Sequence, residues 1–133
     1  MLVIAHRGAS AQFPENTLAA FVGAVEQGAD GVELDVRRTA DARLAIHHDD
    51  TLGDGTVLVD AAFADLPAPV TDLAHALDAC APLDVVNIEV KNWPGDRDFD
   101  PTELVAGAVV DLLRERGELA DGRALVSSFH LQT

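Results

Sequence analysis

Two histidines, three carboxylates and two basic residues stand out because of where they fall along the chain. His6 and Arg7 follow directly on the apolar run Leu2 to Ala5, Glu33 and Asp35 alternate with Val32 and Leu34 in GVELDV, His48 closes LAIHH, and Glu89 and Lys91 lie two apart in NIEVK. Glu33, Asp35 and Glu89 are hard oxygen donors, a set that suits Mg²⁺ or Ca²⁺ and suits zinc poorly. Buried together without a cation, they would cost several kcal/mol, because unpaired charges are penalised away from water. Arg7 offers a bidentate grip on a phosphate and Lys91 a point charge. His6 and His48 are the residue types for a general acid and a general base near neutral pH. The set describes proton transfer at a phosphate gathered by a cation.

Those residues meet only if strands deliver them to one rim. Leu2 to Ala5 read as a buried strand, and PENT followed by LAAFVGAVEQG as a helix with Leu18, Phe21, Val22 and Val25 on its apolar face, stopped by Gly28. Residues 31–36 form a second strand in which Glu33 and Asp35 share a face at period two. RRTADAR is too short for a parallel crossover, so LAIHH must return as a hairpin. Folding about Asp41 puts position 47 opposite 35 and position 48 opposite 34, beside both carboxylates. VTDLAHALDAC reads as a short helix, residues 84–91 as a third core strand, PTELVAGAVVDLLRERG as a helix opening near Pro101, and ALVSSF as a fourth strand. This order is the pattern of a parallel sheet covered by helices, whose sites collect at the C-terminal ends of the strands. Ser127 and Ser128 would stand on the same rim.

Composition narrows the function classes. The chain has 133 residues with 48% hydrophobic and 24% charged content, which suits one globular domain over residues 1–133. Nine basic against twenty-three acidic residues give a net charge of −14, which disfavours nucleic acid and anionic lipid surfaces as partners. No apolar run of about eighteen residues is present, so stable membrane insertion is not expected, and no basic signal-peptide region precedes the first strand. Cys80 alone cannot build a disulfide framework, and a cytoplasmic location is the expectation.

Each site residue also has a plainer reading. His6 and Arg7 suit a surface or cap pair, Glu33 and Asp35 the solvent face of an edge strand, and Glu89 with Lys91 a same-face ion pair. Their recurrence at successive strand ends favours a site. Outside it, Asn16 reads as a helix N-cap, Glu15 as a brace for Arg7 or a favourable charge at a helix start, and Trp93 as a loop anchor or substrate contact. Cys80 reads as buried filler, His47 as the outward neighbour of His48, and His75 and His130 as residues without a role.

The stretches HRGAS, PENT with a following AF, GADGVELDVRRTADARLAIHHDDTL, NIEVK and VSSF, in this order and spacing, resemble the glycerophosphodiester phosphodiesterase family. The resemblance spans nearly the whole chain. It implies the phosphatidylinositol-phospholipase-C-like TIM barrel and metal-dependent hydrolysis of glycerophosphodiesters to an alcohol and glycerol 3-phosphate. By the same resemblance, His6 and His48 are the acid/base pair, Arg7 and Lys91 the phosphate grip, and Glu33, Asp35 and Glu89 the ligands of a divalent cation, Mg²⁺ or Ca²⁺. A neighbouring glycerol hydroxyl would attack phosphorus first, and water would then open a cyclic phosphate.

Such a barrel takes about 250 residues. The expectation is therefore an α/β fold forming the N-terminal half of a (β/α)₈ barrel: about four parallel strands, three helices and a β-hairpin after the second strand. Two rival functions follow from the same residues. One is a non-catalytic half barrel that binds metal or phosphate, or associates with another chain, including a copy of itself, through open edges. The other is a phospholipase D-like enzyme on the same barrel.

Overall fold

The computed structural model describes residues 1–130. Six strands and three α-helices are present among them: β1 (Ile4–His6), α1 (Leu18–Glu26), β2 (Gly31–Arg38), β3 (Leu44–Ile46), β4 (Thr71–Asp72), α2 (Leu73–Ala79), β5 (Val85–Val90), α3 (Leu104–Glu115) and β6 (Ala124–Ser127). Strands β1, β2, β5 and β6 run parallel to one another in that spatial order. The sheet is nonetheless mixed, since β3 pairs antiparallel with β2 and β4 antiparallel with β3. The four parallel strands and the hairpin follow the expected order, although β1 is displaced to Ile4–His6 from residues 2–5 and β6 stops at Ser127.

Alternation along the strands separates two chemistries. Val32, Leu34 and Val36 of β2 and Val86, Ile88 and Val90 of β5 are buried in one apolar cluster with Phe21 and Ala24 of α1, Leu73 and Leu77 of α2, and Val105, Val109 and Leu113 of α3. All three helices thus cover the same face of the sheet. Glu33, Asp35, Asn87, Glu89 and Lys91 alternate with those residues and fall on the opposite face.

The hairpin has the predicted register. Val36 pairs with Ile46 and Arg37 with Ala45, and the His47 amide donates to the Asp35 carbonyl at 3.0 Å. Strand β2 runs on to Arg38, two residues beyond the expected end, because β3 gives its last residues a partner.

Four local expectations are corrected. Helix α1 buries Ala20, Phe21, Gly23 and Ala24, whereas Leu18 and Val22 are 39% and 44% exposed. The helix seats on its small residues because the turn after β1 comes close: a Cβ on Gly8 would lie 2.7 Å from the Ala20 backbone. The β1 region is not buried, since Leu2, Val3 and Ile4 are exposed and the strand has β2 as its only neighbour among the described residues. Helix α3 begins at Leu104, not near Pro101. Asp100 takes the Thr102 amide at 2.9 Å and the Leu104 amide at 3.1 Å, and Glu103 adopts a left-handed backbone that interrupts the earlier turn. VTDLAHALDAC likewise opens as strand β4 before the helix starts, with Asp72 as the cap.

Candidate active site

The site is built on β2, with β1 on one side and β5 on the other. Register sets His6 beside Glu33 and Asp35 beside Glu89, so the three carboxylates converge by backbone pairing alone. All three are buried, and one oxygen from each lies within 4.8 Å of the others.

Arg7 enters through an unusual backbone. Its φ is 59° and that of Gly8 is 81°, two consecutive left-handed residues that turn the chain sharply off β1. The Arg7 amide donates both to the Glu33 carbonyl, at 2.9 Å, and to Glu33 Oε2, at 3.1 Å. Its guanidinium donates to Glu15 Oε1 at 2.8 Å and stands 3.3 Å from Asp35 Oδ2. Glu15 is therefore the brace that the sequence suggested. From β5, Lys91 Nζ reaches Asp35 Oδ1 at 2.9 Å and Glu89 Oε1 at 2.5 Å.

Three carboxylates facing two basic side chains leave an excess of negative charge. Burial, reinforced by the charge of Asp35, pushes Glu33 up to about 7. Burial alone would raise Asp35 as well, but hydrogen bonds from Lys91 and Asn16 outweigh it and hold Asp35 below the usual carboxylate range. Glu33 Oε1 is buried without a hydrogen-bond partner among the described residues. A buried acceptor with no donor and three converging hard oxygens fit a divalent cation.

Asn16 belongs to the site and is not a helix cap. Thr17 caps α1 by accepting the Ala20 amide. Asn16, at φ 57°, donates from Nδ2 to Asp35 Oδ2 at 2.7 Å and accepts the Asp35 amide at Oδ1, 3.3 Å. The signal was in PENT, where two adjoining cap-forming residues leave one surplus.

The two histidines have different surroundings. His6 is 69% exposed at its side chain, with Nε2 3.8 Å from Glu33 Oε2. Regular pairing along the hairpin ends at the His47 amide, and the His48 ring contacts Asp49 Oδ1, 2.7 Å from Nδ1. It shares a cavity of about 520 Å³ with Glu89, Lys91, Trp93, Phe129 and His130. His130, read from sequence as idle, stands in that wall with Nδ1 3.3 Å from Glu103 Oε1. Trp93 is exposed on the same wall. Ser128 lines it too, whereas Ser127 donates to Asn87 Oδ1 at 2.9 Å.

The remaining candidates behave as packing and caps. His47 accepts or donates at Nδ1 with the Asp49 carbonyl at 2.9 Å, and His75 contacts its own helix cap, Asp72, at 2.7 Å. Cys80 is fully buried, which pushes its thiol up to about 12.

Residues 6–133 match the model of the glycerophosphoryl diester phosphodiesterase family. The chain belongs to that family. Its relatives include YqiK, an uncharacterized protein of Bacillus subtilis (strain 168), 39% identical over 68% of this chain and 45% of YqiK. A glycerophosphodiester phosphodiesterase of Caldanaerobacter subterraneus is 61% identical over 38% of this chain and 21% of its own. Among solved structures, an Oleispira antarctica phosphodiesterase in complex with the product sn-glycerol-3-phosphate superposes with a TM-score of 0.86 at 30% identity, covering 99% of this chain and 59% of that one. A Thermotoga maritima glycerophosphodiester phosphodiesterase gives 0.82 at 31% identity, covering 98% and 55%. This member of the family spans less than half the length of those two curated relatives and somewhat over half of the two solved structures. Among its described residues no helix is long and apolar enough to cross a membrane.

Proposed function

We propose that the protein to which this chain belongs hydrolyses glycerophosphodiesters to an alcohol and glycerol 3-phosphate, with Mg²⁺ or Ca²⁺ held by Glu33, Asp35 and Glu89. The observation that carries the reading is the buried carboxylate trio with Glu33 Oε1 unpartnered, in a chain of the glycerophosphoryl diester phosphodiesterase family. A divalent ion there would act as Lewis acid and template for the phosphate.

The other tasks fall to the chain's own side chains. Arg7 and Lys91, each already tied to Asp35, present the cationic groups that grip a phosphate against the −14 background. His48 has Nδ1 committed to Asp49, so Nε2 is the nitrogen that gives or takes a proton. His6, on the exposed side of Glu33, carries the complementary proton. Asn16 holds Asp35 at two points and keeps its carboxylate turned into the cluster.

The test is release of glycerol 3-phosphate from glycerophosphocholine, with Mg²⁺, with Ca²⁺ and with EDTA. Turnover that survives the chelator removes the metal assignment, and full rate in His6→Ala removes the acid/base one. Release of choline with the phosphate left on the glycerol side is the expected result. Cleavage of sphingomyelin to choline instead would favour the phospholipase D-like reading.

The likeness to somewhat over half of two larger structures supports reading β1, β2, β5 and β6 with their helices as four of the eight units of a (β/α)₈ barrel, the N-terminal half, within a single domain over residues 1–133. A second reading has its own observation. Leu2, Val3 and Ile4 on the β1 side and Leu125, Val126 and Phe129 on the β6 side are exposed at the two outer edges of the parallel strands. This favours self-association of the chain through those edges. Light scattering at several concentrations tests it, and a constant monomer mass would end it.

A further inference from the structure

Arg37 is the third member of the row that Glu33 and Asp35 begin on β2, and it is buried at 4% exposure. Each of its nitrogens is engaged: Nε donates to the His48 carbonyl at 2.8 Å, Nη1 to Asp98 Oδ1 at 2.7 Å, and Nη2 to Asp96 Oδ2 at 3.0 Å. The acceptors come from two separate loops. One follows β3 and carries His48; the other follows β5 and carries Trp93. A second tie joins the same loops, since the Arg97 amide donates to Asp50 Oδ2 at 2.8 Å.

From this geometry we propose that Arg37 is a positioning residue, which fixes the His48 backbone and the Asp96–Asp98 loop in one clamp and so sets the histidine against the cavity wall. A guanidinium suits this task because its donors are held in one plane at fixed angles, whereas an ammonium on a flexible stem cannot hold three divergent acceptors at once. The clamp acts at the carbonyl of His48, one bond from its Cα, while the Nδ1 contact with Asp49 orients the ring. Both restraints are needed to place Nε2. The inference rests on His48 being a proton carrier.

The experiment uses Arg37→Met combined with Asp98→Asn, which removes the fully buried ion pair together and leaves only Asp96, a part-exposed carboxylate that water reaches, and Arg37→Lys as the conservative variant. Ring ¹⁵N–¹H spectra follow His48 and His6, and glycerophosphocholine hydrolysis with Mg²⁺ gives kcat and KM. In the folded double variant the His48 ring signals should move while those of His6 stay, and kcat should fall tenfold or more with KM changed less than twofold. Arg37→Lys should recover part of kcat. Unmoved His48 signals in a folded variant, or a loss confined to KM, would overturn the proposal, the latter by making Arg37 a substrate contact. If the variants do not fold, exchange of the Arg37 Nε proton in the unmodified protein decides. It should be at least tenfold slower than that of the exposed Arg114, and equal rates would refute the clamp. No hydrolysis by the unmodified protein would refute the phosphodiesterase reading alone, leaving the spectra and exchange to judge the clamp.

Discussion

Two buried charge clusters lie on one face of β2, a single alternation apart. In the first, Glu33, Asp35 and Glu89 outnumber Arg7 and Lys91, and Glu33 Oε1 has no partner among the described residues. In the second, Arg37 faces Asp96 and Asp98, and every guanidinium nitrogen has an acceptor at 3.0 Å or less. The second cluster is closed by the chain's own groups and behaves as structure. The first is electrostatically incomplete, which is what a protein shows where something else is meant to bind. The difference lies in pairing, since burial is similar in both.

The largest expected effect separates the clusters by function. Asp35→Asn should lower turnover of glycerophosphocholine about 10²- to 10⁴-fold, the range of a lost catalytic group, and should abolish the rise in melting temperature on adding Mg²⁺ or Ca²⁺. A calorimetric scan that still shows the ion-induced rise would move the cation elsewhere.

A smaller but sharper contrast comes from stability. Asp98→Ala takes from a buried guanidinium its buried carboxylate partner, leaving Asp96 and the His48 carbonyl, and should cost about 1.5–3 kcal/mol by denaturant titration, with the ion-induced rise retained. Glu33→Gln should do the opposite and stabilise the ion-free protein at pH 8 by about 1–2 kcal/mol, because it removes a poorly paired buried charge. Destabilisation by Glu33→Gln would show that the first cluster is complete as it stands.

The same contrast predicts a pH dependence. Glu33 is raised from 4.5 to about 7 in the folded chain, so between those values the folded state holds a proton that the unfolded state has lost. Stability of the ion-free protein should therefore fall as pH rises through this window and level off above it. Asp35 is shifted downward, so its contribution changes only at lower pH. Added divalent ion should raise the melting temperature more at pH 8 than at pH 5.5, and an equal rise at both would break the link to Glu33.

The smallest effect belongs to the rim. Glu15→Gln loosens one contact of Arg7 from a half-exposed partner, so stability should change by less than about 1 kcal/mol. Binding of inorganic phosphate, read by calorimetric titration, should weaken by no more than a few fold.

Much of the first cluster was legible in the sequence. Period-two alternation placed Glu33 and Asp35 on one face, and the short turn at Asp41 set the hairpin register. Extending that alternation one step would have found Arg37, whose role stayed hidden because its acceptors lie in loops 11 and 59–61 residues away. Asn16 was hidden likewise by the nineteen positions from it to Asp35 along the chain. The α1 face was misread because hydrophobicity ranks Leu18 and Val22 above Ala20 and Gly23, while the close turn at Gly8 admits only small side chains. For His48 the register argument was insufficient, because a residue opposite Leu34 shares Leu34's face of the sheet and the pairing ends at the His47 amide, so the loop that follows sets its place.

The sequence by itself determined which residues are charged, which face of each strand they occupy and which strands are apolar enough to lie under helices, because these follow from periods of two and 3.6 within short segments. Only the tertiary structure decided which charges are paired and which are left wanting. Pairing depends on distances between side chains far apart in sequence, and burial makes each unpaired charge costly enough for a fraction of an ångström to separate a closed cluster from an open site.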